Sequence, residues 1–330
     1  MEFDPLKKRE LRGNTFFIQS VDPMLEPGRY LPLKLVPLTP NFGARIEGLD
    51  LRKRFDEPTK EILRDAFLRF GLLIFTGQET LQPEDHVQFA ENFGKPDHGS
   101  PNFPKVGHLV DLIETTKEQP PVTNLWHTDI LGLANANLGT VIQIREMPKV
   151  GGNTAWASAA KAFDCLSDRM KTYLDGQTVV HWWNNRGKVE QLESYEEGDA
   201  FYDRHFKMER ANPPRTYPIV REHPITGRKA LFVNETFTKF IRYVHKYESD
   251  GILSFLYNWL KTPEFHYVHT WARNDVAIWD NNIMQHYALG DYDERRVNHR
   301  VEFGISPLID YQKSLGRTPQ PASDLGTAAE

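Results

Sequence analysis

The sequence predicts a mainly β protein with flanking helices, a sandwich or barrel rather than alternating βαβ units. Short apolar or alternating segments at 138–145 (LGTVIQIR), 178–183, 216–221, 229–234 (KALFVN), 264–271, 275–279 (DVAIW) and 300–306 read as strands separated by turn residues. Helical periodicity gathers mostly in the N-terminal half. Aromatic residues make up 12% of the chain, with 20 Phe and 7 Trp, a composition that suits sheets and apolar pockets.

Taken in order, residues 1 to about 35 are polar and punctuated by Pro23, Pro27 and Pro32, so they read as an N-terminal arm. Residues 59–70 (TKEILRDAFLRF) place Ile62, Leu63, Ala66, Phe67 and Phe70 at helical spacing, and a second helix over 83–93 opens on Pro83. Between them LLIFT at 72–76, ended by Gly77, reads as a buried strand. A third helix is expected over about 158–174. A fourth is signalled by Ser249 and Asp250 as candidate caps before Ile252, Leu253, Leu256 and Leu260. Hairpins are expected at Pro224-Ile225-Thr226-Gly227 and at Arg273-Asn274-Asp275. No repeat, linker or composition break divides 36–312, which reads as one domain. The C-terminal tail, 313–330, reads as disordered over its last dozen residues, from Thr318.

Composition narrows function. The net charge is −5 and Lys and Arg are spread along the chain, so the basic stripe that phosphate binding requires is missing and nucleic acid is not an expected partner. The single cysteine, Cys165, cannot close a disulfide within the chain, and AFDCLSDRM reads as the buried face of a helix, hence a core thiol. The first residues lack a signal-peptide pattern and no apolar run approaches the roughly 18 residues of a membrane span. The expectation is a cytoplasmic protein with no membrane association.

The residues with chemical potential begin at Trp126-His127-Thr128-Asp129. His-x-Asp or His-x-Glu should occur by chance about 1.6 times in a chain of this composition, so the match acquires weight only from its context. On an extended segment His127 and Asp129 project from one face, offering one nitrogen and one oxygen to a common point. A third ligand from elsewhere would complete a 2-His-1-carboxylate face with open positions, the arrangement of non-haem Fe(II) oxygenases. Ten histidines besides His127 and His286 are available, but His286 stands out because Trp279-Asp280-Asn281-Asn282-Ile283-Met284-Gln285-His286-Tyr287-Ala288 leads through a polar turn into Arg295-Arg296-Val297-Asn298-His299-Arg300. On a strand Arg296 and Arg300 share a face that Arg295 does not, which makes a site for anions. His266 and His269, three apart on a strand, point to opposite faces and are read as structural.

His127-x-Asp129, the distant His286 within WDN…QHYA, and the RRxxHR run resemble the TauD/TfdA (taurine dioxygenase) family of Fe(II)/2-oxoglutarate dioxygenases. Further stretches similar to that family are FGARIEGLDL at 42–51, GLLIFTGQ at 71–78, FGKP at 93–96, GGNT at 151–154 and HPITGRKALFVNETFT at 223–238. They are collinear over roughly residues 40–306.

The resemblance implies a double-stranded β-helix (jelly roll) holding catalytic Fe(II) at His127, Asp129 and His286. It implies that Arg296, helped by Thr154, binds the distal carboxylate of 2-oxoglutarate. Arg300 would grip the acidic group of the substrate, Phe237 would form an aromatic wall of the pocket, and His98 would contact the substrate. The reaction implied consumes O2, oxidises a C–H bond of a small anionic organic molecule (a sulfonate, alkyl sulfate or carboxylate) and releases succinate and CO2. Retention of Asp129 argues against a halogenase. The family also hints at a homo-oligomer.

Two departures from the family pattern stand out. Ten residues separate His286 from Arg296, one fewer than the commonest spacing, and the acid- and aromatic-rich stretch about 188–208, where the family carries a variable lid, differs from the taurine enzyme. Two rivals are a 2-oxoglutarate-independent metal dioxygenase with the same ligands and a non-catalytic jelly-roll sensor of small anions. The arginine pair argues against the first and the intact ligand set against the second.

Overall fold

The computed structural model describes residues 28–98, 103–117, 119, 124–129, 139–183, 213–304 and 327–328. The chain builds a large sheet from β1 (Lys34–Pro37), β2 (Ala44–Glu47), β3 (Leu72–Phe75), β4 (Asp111–Thr115), β5 (Gly139–Glu146), β13 (Val276–Asp280) and β15 (Arg296–Phe303), in the order β1-β2-β3-β13-β5-β15-β4. Only the β2–β3 pair in it is parallel. A smaller sheet opposes it, with β6 (Thr154–Ser158) between β12 (His266–His269) and β14 (Met284–Ala288). Beside these lie β7 (Thr178–His181), β8 (Arg215–Pro218) and β11 (Thr238–Ile241), the hairpin of β9 (Val220–Glu222) with β10 (Lys229–Leu231), and β16 (Thr327–Ala328) at the edge of β8. Two β layers facing across an apolar core make the fold a jelly roll. The helices are α1 (Glu57–Phe70), α2 (Pro83–Glu91), α3 (Ala159–Asp164), α4 (Asp168–Leu174) and α5 (Lys246–Leu260).

The unbroken apolar run of β3 is explained by cores on both faces of the large sheet. Leu72 and Ile74 join Ile142, Ile144 and Trp279 in the core shared with the small sheet's Trp156 and Met284. Leu73 and Phe75 join Val141, Ile278, Val301 and Phe303 on the other face, where Leu63, Phe67 and Phe70 of α1 and Phe89 of α2 cover them. Helix α1 starts where Asp56 accepts from the Thr59 backbone N–H at 3.0 Å, with Pro58 in its first turn. It ends at Gly71, whose φ of 70° sits in the left-handed region, and a Cβ there would meet Ile283 Cδ1 at 2.9 Å. The Gly71 carbonyl then accepts from Asp280 N at 2.9 Å, which ties the helix end to the turn that precedes His286.

Several expectations change. The helix expected over about 158–174 is two, because Ser167 caps a fresh start by accepting from Met170 N at 3.2 Å. Cys165 lies at the break, partly buried against the larger core. The fourth helix begins at Lys246, capped by His245, and Ser249 lies inside it with its hydroxyl accepting from Ile241 N at 2.9 Å. The hairpin at 224–227 forms, but the turn at 273–275, with Asn274 at φ 67°, crosses from the small sheet to the large one instead of joining paired strands. The run 216–221 breaks at Ile219, and the last long strand starts at Arg296 rather than residue 300. Strands β1, β2, β4, β6, β11, β14 and β16 are not anticipated by the sequence, because each spans only two to five residues; Ala44–Glu47 does alternate, but over four residues the pattern is too short to read. Of the expected arm, Tyr30 is buried against Phe70 and β1 begins at Lys34. Within the expected tail, the backbone of Thr327–Ala328 pairs with β8. Among the described residues no helix is long and apolar enough to cross a membrane.

Candidate active site

An antiparallel bridge brings the first two candidate ligands together. His127 N donates to the His286 carbonyl at 3.1 Å and His286 N donates to the His127 carbonyl at 2.8 Å, so the segment carrying His127 lies alongside β14 and the rings approach to 4.1 Å between centroids. Asp129, two residues on, presents its carboxylate to the same point, and one ligand atom from each of His127, Asp129 and His286 lies within 4.8 Å of the others. The Nδ1–H of His127 donates to the Leu125 carbonyl at 2.7 Å, leaving Nε2 as the free lone pair. Asp129 Oδ2 accepts from the Thr140 hydroxyl at 2.8 Å, and Oδ1 faces His286 Nε2 at 3.8 Å.

Electrostatics favour the metal-binding protonation states. Burial pushes His286 down to about 3, helped by its neighbour His127, and burial likewise lowers His127, so both imidazoles are neutral. Burial alone would raise Asp129, but His286, Arg300, His127 and the Thr140 hydroxyl together hold it below its ordinary value. Two neutral imidazoles and one carboxylate aimed at one point fit a divalent ion of the 2-His-1-carboxylate type.

The turn between β13 and β14 supports these ligands with residues the sequence reading quoted without assigning a role. Asn281 Nδ2 donates to Thr140 Oγ1 at 3.0 Å, its Oδ1 accepts from Asp129 N at 3.4 Å and from Trp279 Nε1 at 3.0 Å, and its carbonyl accepts from the Thr128 hydroxyl at 2.9 Å. Next to it, His223 Nδ1 accepts from Ile225 N and Thr226 N at 3.1 and 3.0 Å, so the ring proton is on Nε2 and is donated to Asp280 Oδ2 at 2.7 Å.

Strand β15 contributes the two arginines. Arg296 is buried, donating from Nε to the Gly152 carbonyl at 3.0 Å and from Nη2 to Thr154 Oγ1 at 3.5 Å, while Trp271 Nε1 donates to the same hydroxyl at 3.0 Å. No carboxylate among the described residues pairs with Arg296. Arg295 points the other way and pairs with Glu114 and Glu146 in solvent, as the face argument requires.

Arg300 is also buried but stands among acids. Its Nη2 and Nε donate to Asp111 Oδ2 at 2.8 and 3.1 Å, Nη2 meets Glu302 Oε1 at 3.0 Å, and Nη1 lies 3.6 Å from Asp129 Oδ1. Phe103 covers the guanidinium at 5.0 Å, and Lys105 pairs with Asp111. Burial opposes the arginine's charge, yet Glu302, Asp129 and Asp111 raise its pKa. Glu302 in turn is pushed up to about 7 by burial, against the pull of Arg300. Sequence reasoning missed Asp111, Lys105, Phe103 and Glu302. Only Glu302 left a signal, two residues after Arg300 and so on the same face of the strand.

Phe237 is buried with its ring edge-on to His127 at 6.4 Å and stacked on Trp183 at 5.5 Å. His98 is not drawn in. It is exposed, its ring against His108, and it reaches the Arg300 cluster only through its carbonyl, which accepts from Lys105. His266 Nε2–H donates to the Leu260 carbonyl at the end of α5 at 2.7 Å and His269 pairs with Asp275, both structural roles. The stretch 188–208 lies outside the described residues.

A family model described as "Taurine catabolism dioxygenase TauD, TfdA family" matches residues 34–301. The chain belongs to that family. An alkylsulfatase of Acinetobacter baylyi is 29% identical, with 88% of this chain and 90% of the relative covered. An alpha-ketoglutarate-dependent sulfate ester dioxygenase of Pseudomonas putida is also 29% identical, with 87% and 95% covered. The crystal structure of a taurine dioxygenase from Burkholderia xenovorans superposes with a TM-score of 0.68 at 28% identity, covering 83% of this chain and 90% of that one. This TauD/TfdA protein is an oxidoreductase, a dioxygenase working with Fe(II), 2-oxoglutarate and O2.

Proposed function

We propose that His127, Asp129 and His286 hold the Fe(II), that Arg296 and Thr154 bind the distal carboxylate of 2-oxoglutarate, and that Arg300 aims the acid group of the substrate. The substrate is a small organic anion, with sulfate esters and sulfonates the first candidates because relatives are named for acting on them. The observation that carries this reading is the three ligand atoms within 4.8 Å of one another, with the Arg300 guanidinium 3.6 Å from Asp129 Oδ1.

Bound there, the iron supplies O2 activation coupled to decarboxylation of 2-oxoglutarate, giving succinate and CO2 and one oxygen atom for a substrate C–H bond. The protein's part is positioning and dryness. The Leu125 carbonyl holds the His127 tautomer, Thr140 and Asn281 hold the Asp129 carboxylate, and Arg296, which pairs with no acid among the described residues, offers its guanidinium to the co-substrate's far end. Phe237 and Trp183 exclude water beside His127. For a sulfate ester oxidised at the carbon bearing oxygen, the hydroxylated product splits into an aldehyde and hydrogen sulfate. The site's residues need only hold the anion while this carbon faces the metal. Cytoplasmic residence and a homo-oligomeric assembly complete the proposal, the first supported by a sequence that carries a single cysteine.

The test is succinate release by the purified protein with Fe(II), ascorbate and 2-oxoglutarate across alkyl sulfates, sulfonates, aryloxy acids and amino acids. Stimulation by one anionic class, lost in His286→Ala together with metal binding, is the expected result. Turnover stimulated by no compound, with metal binding untouched by His286→Ala, would refute it.

A further inference from the structure

The acids around Arg300 have no part in the reading above. A clamp meant only to attract an anion would carry net positive charge, as Arg296 does. Here Arg300 and Lys105 supply two positive charges and Asp111 and Glu302 two negative ones, all within one run of contacts. The sum is zero, and Asp129, on a third side of Arg300, belongs to the metal ligands. The guanidinium edges are divided accordingly. Asp111 takes Nε and Nη2 through a single oxygen, Glu302 shares Nη2, and only Nη1 turns toward the ligand triad.

We infer that Glu302 is a specificity-determining residue: by occupying the outer edge of Arg300 it leaves room and charge for one negative charge from the substrate, so the site takes a singly charged acid group on an apolar body and turns away a doubly charged one such as a phosphate monoester. This rests on Arg300 being the substrate clamp. A second negative charge would enter within a few ångströms of buried carboxylates where, among the described side chains, the cations Arg300 and Lys105 are already matched by Asp111 and Glu302, in a setting where charges are weakly screened. The rest of the binding free energy must then come from apolar contact, and the aromatic faces for it are Phe103 over the guanidinium and Phe237 stacked on Trp183. The same charge balance favours sulfate esters and sulfonates, which keep a single charge at all working pH values, over phosphates.

Glu302→Gln keeps the shape and removes the charge. Hexyl sulfate and hexyl phosphate are to be compared at about pH 8, where the phosphate is doubly charged. The readouts are KM or Ki from succinate release and, independently, calorimetric affinity for the protein loaded with Mn(II) and 2-oxoglutarate. The wild type is expected to prefer the sulfate by roughly a hundredfold, and Glu302→Gln to shrink that preference by about tenfold while leaving the KM for 2-oxoglutarate unchanged. A double variant, Arg300→Gln with Glu302→Gln, removes one charge of each sign and should weaken the sulfate. If it does so while Glu302→Gln leaves the preference unaltered, the role of Glu302 is wrong and the clamp stands. If the double variant binds hexyl sulfate as the wild type does, Arg300 is not the clamp and both readings fall.

Discussion

Arg296 and Arg300 sit four residues apart on one face of one strand, are equally buried, and have opposite surroundings. Arg296 is held by a carbonyl and a hydroxyl and meets no carboxylate among the described residues, whereas Arg300 is ringed by Asp111, Glu302 and Asp129. Burying a lone guanidinium is costly, and burial does lower the Arg296 pKa. Such a group is stable in use when a ligand brings the missing anion. Arg300 is self-satisfied and can respond to substrate only by sharing. The difference teaches that sequence periodicity can identify two anion-facing arginines without revealing which of them is waiting for a ligand.

The sharpest way to break the comparison is Arg296→Gln, which should raise the KM for 2-oxoglutarate on the order of a hundredfold while changing the substrate KM by about twofold at most, as steady-state kinetics would show. Arg300→Gln should do the reverse and also cost about 3 kcal/mol of stability in urea unfolding, because it leaves buried acids without their cation. Arg296→Gln without ligand should cost less than that, and equal losses would erase the distinction drawn between the two sites. Asn281→Ala tests the support beneath Asp129, and Mn(II) affinity measured by calorimetry should fall roughly tenfold or more. Thr154→Val removes a contact of 3.5 Å from Arg296 and should raise the 2-oxoglutarate KM only about three- to tenfold.

The smallest effect concerns the opposite face of the same strand. There His299 is lowered to about 4 by burial and Arg145, and His86 of α2, buried beside it, is lowered to about 3. A histidine whose folded pKa lies below its unfolded value of about 6.5 is neutral in the fold and gains a proton on unfolding, so its contribution is intact above that pH and lost as pH falls through it. His86 should cost about 1 kcal/mol of stability between pH 6.5 and 5.5, seen as a lower urea midpoint, and His86→Leu should flatten that slope.

Much of the site was legible because it is built from short-range pattern. His127 and Asp129 two apart, and Arg296 and Arg300 four apart, follow from the pleat alone, and the family resemblance joined them to His286, Thr154 and Phe237. The apolar strands and the amphipathic helices α1 and α2 were legible for the same reason. What escaped depends on contacts across the fold. Asp111 is 189 residues from Arg300, and Asn281 is 141 from Thr140. His98 shows the converse, a residue next to a family-like motif that the fold leaves at the surface. The helix at 158–174 was overextended because its periodicity continues past Ser167, where a local side-chain cap restarts the helix.

By itself the sequence determined the chemical repertoire: two imidazoles and a carboxylate for a metal, two guanidiniums for anions, and an alternating apolar framework to carry them. Periodicity and residue type are local properties, and one strand suffices to express them. The tertiary structure alone decided how that repertoire is satisfied: Glu302 reaches Arg300 along its own strand, but Asp111 and Asp129 reach it only across the fold, and at about 3 Å in a buried setting such charges decide whether an arginine is paired or waiting.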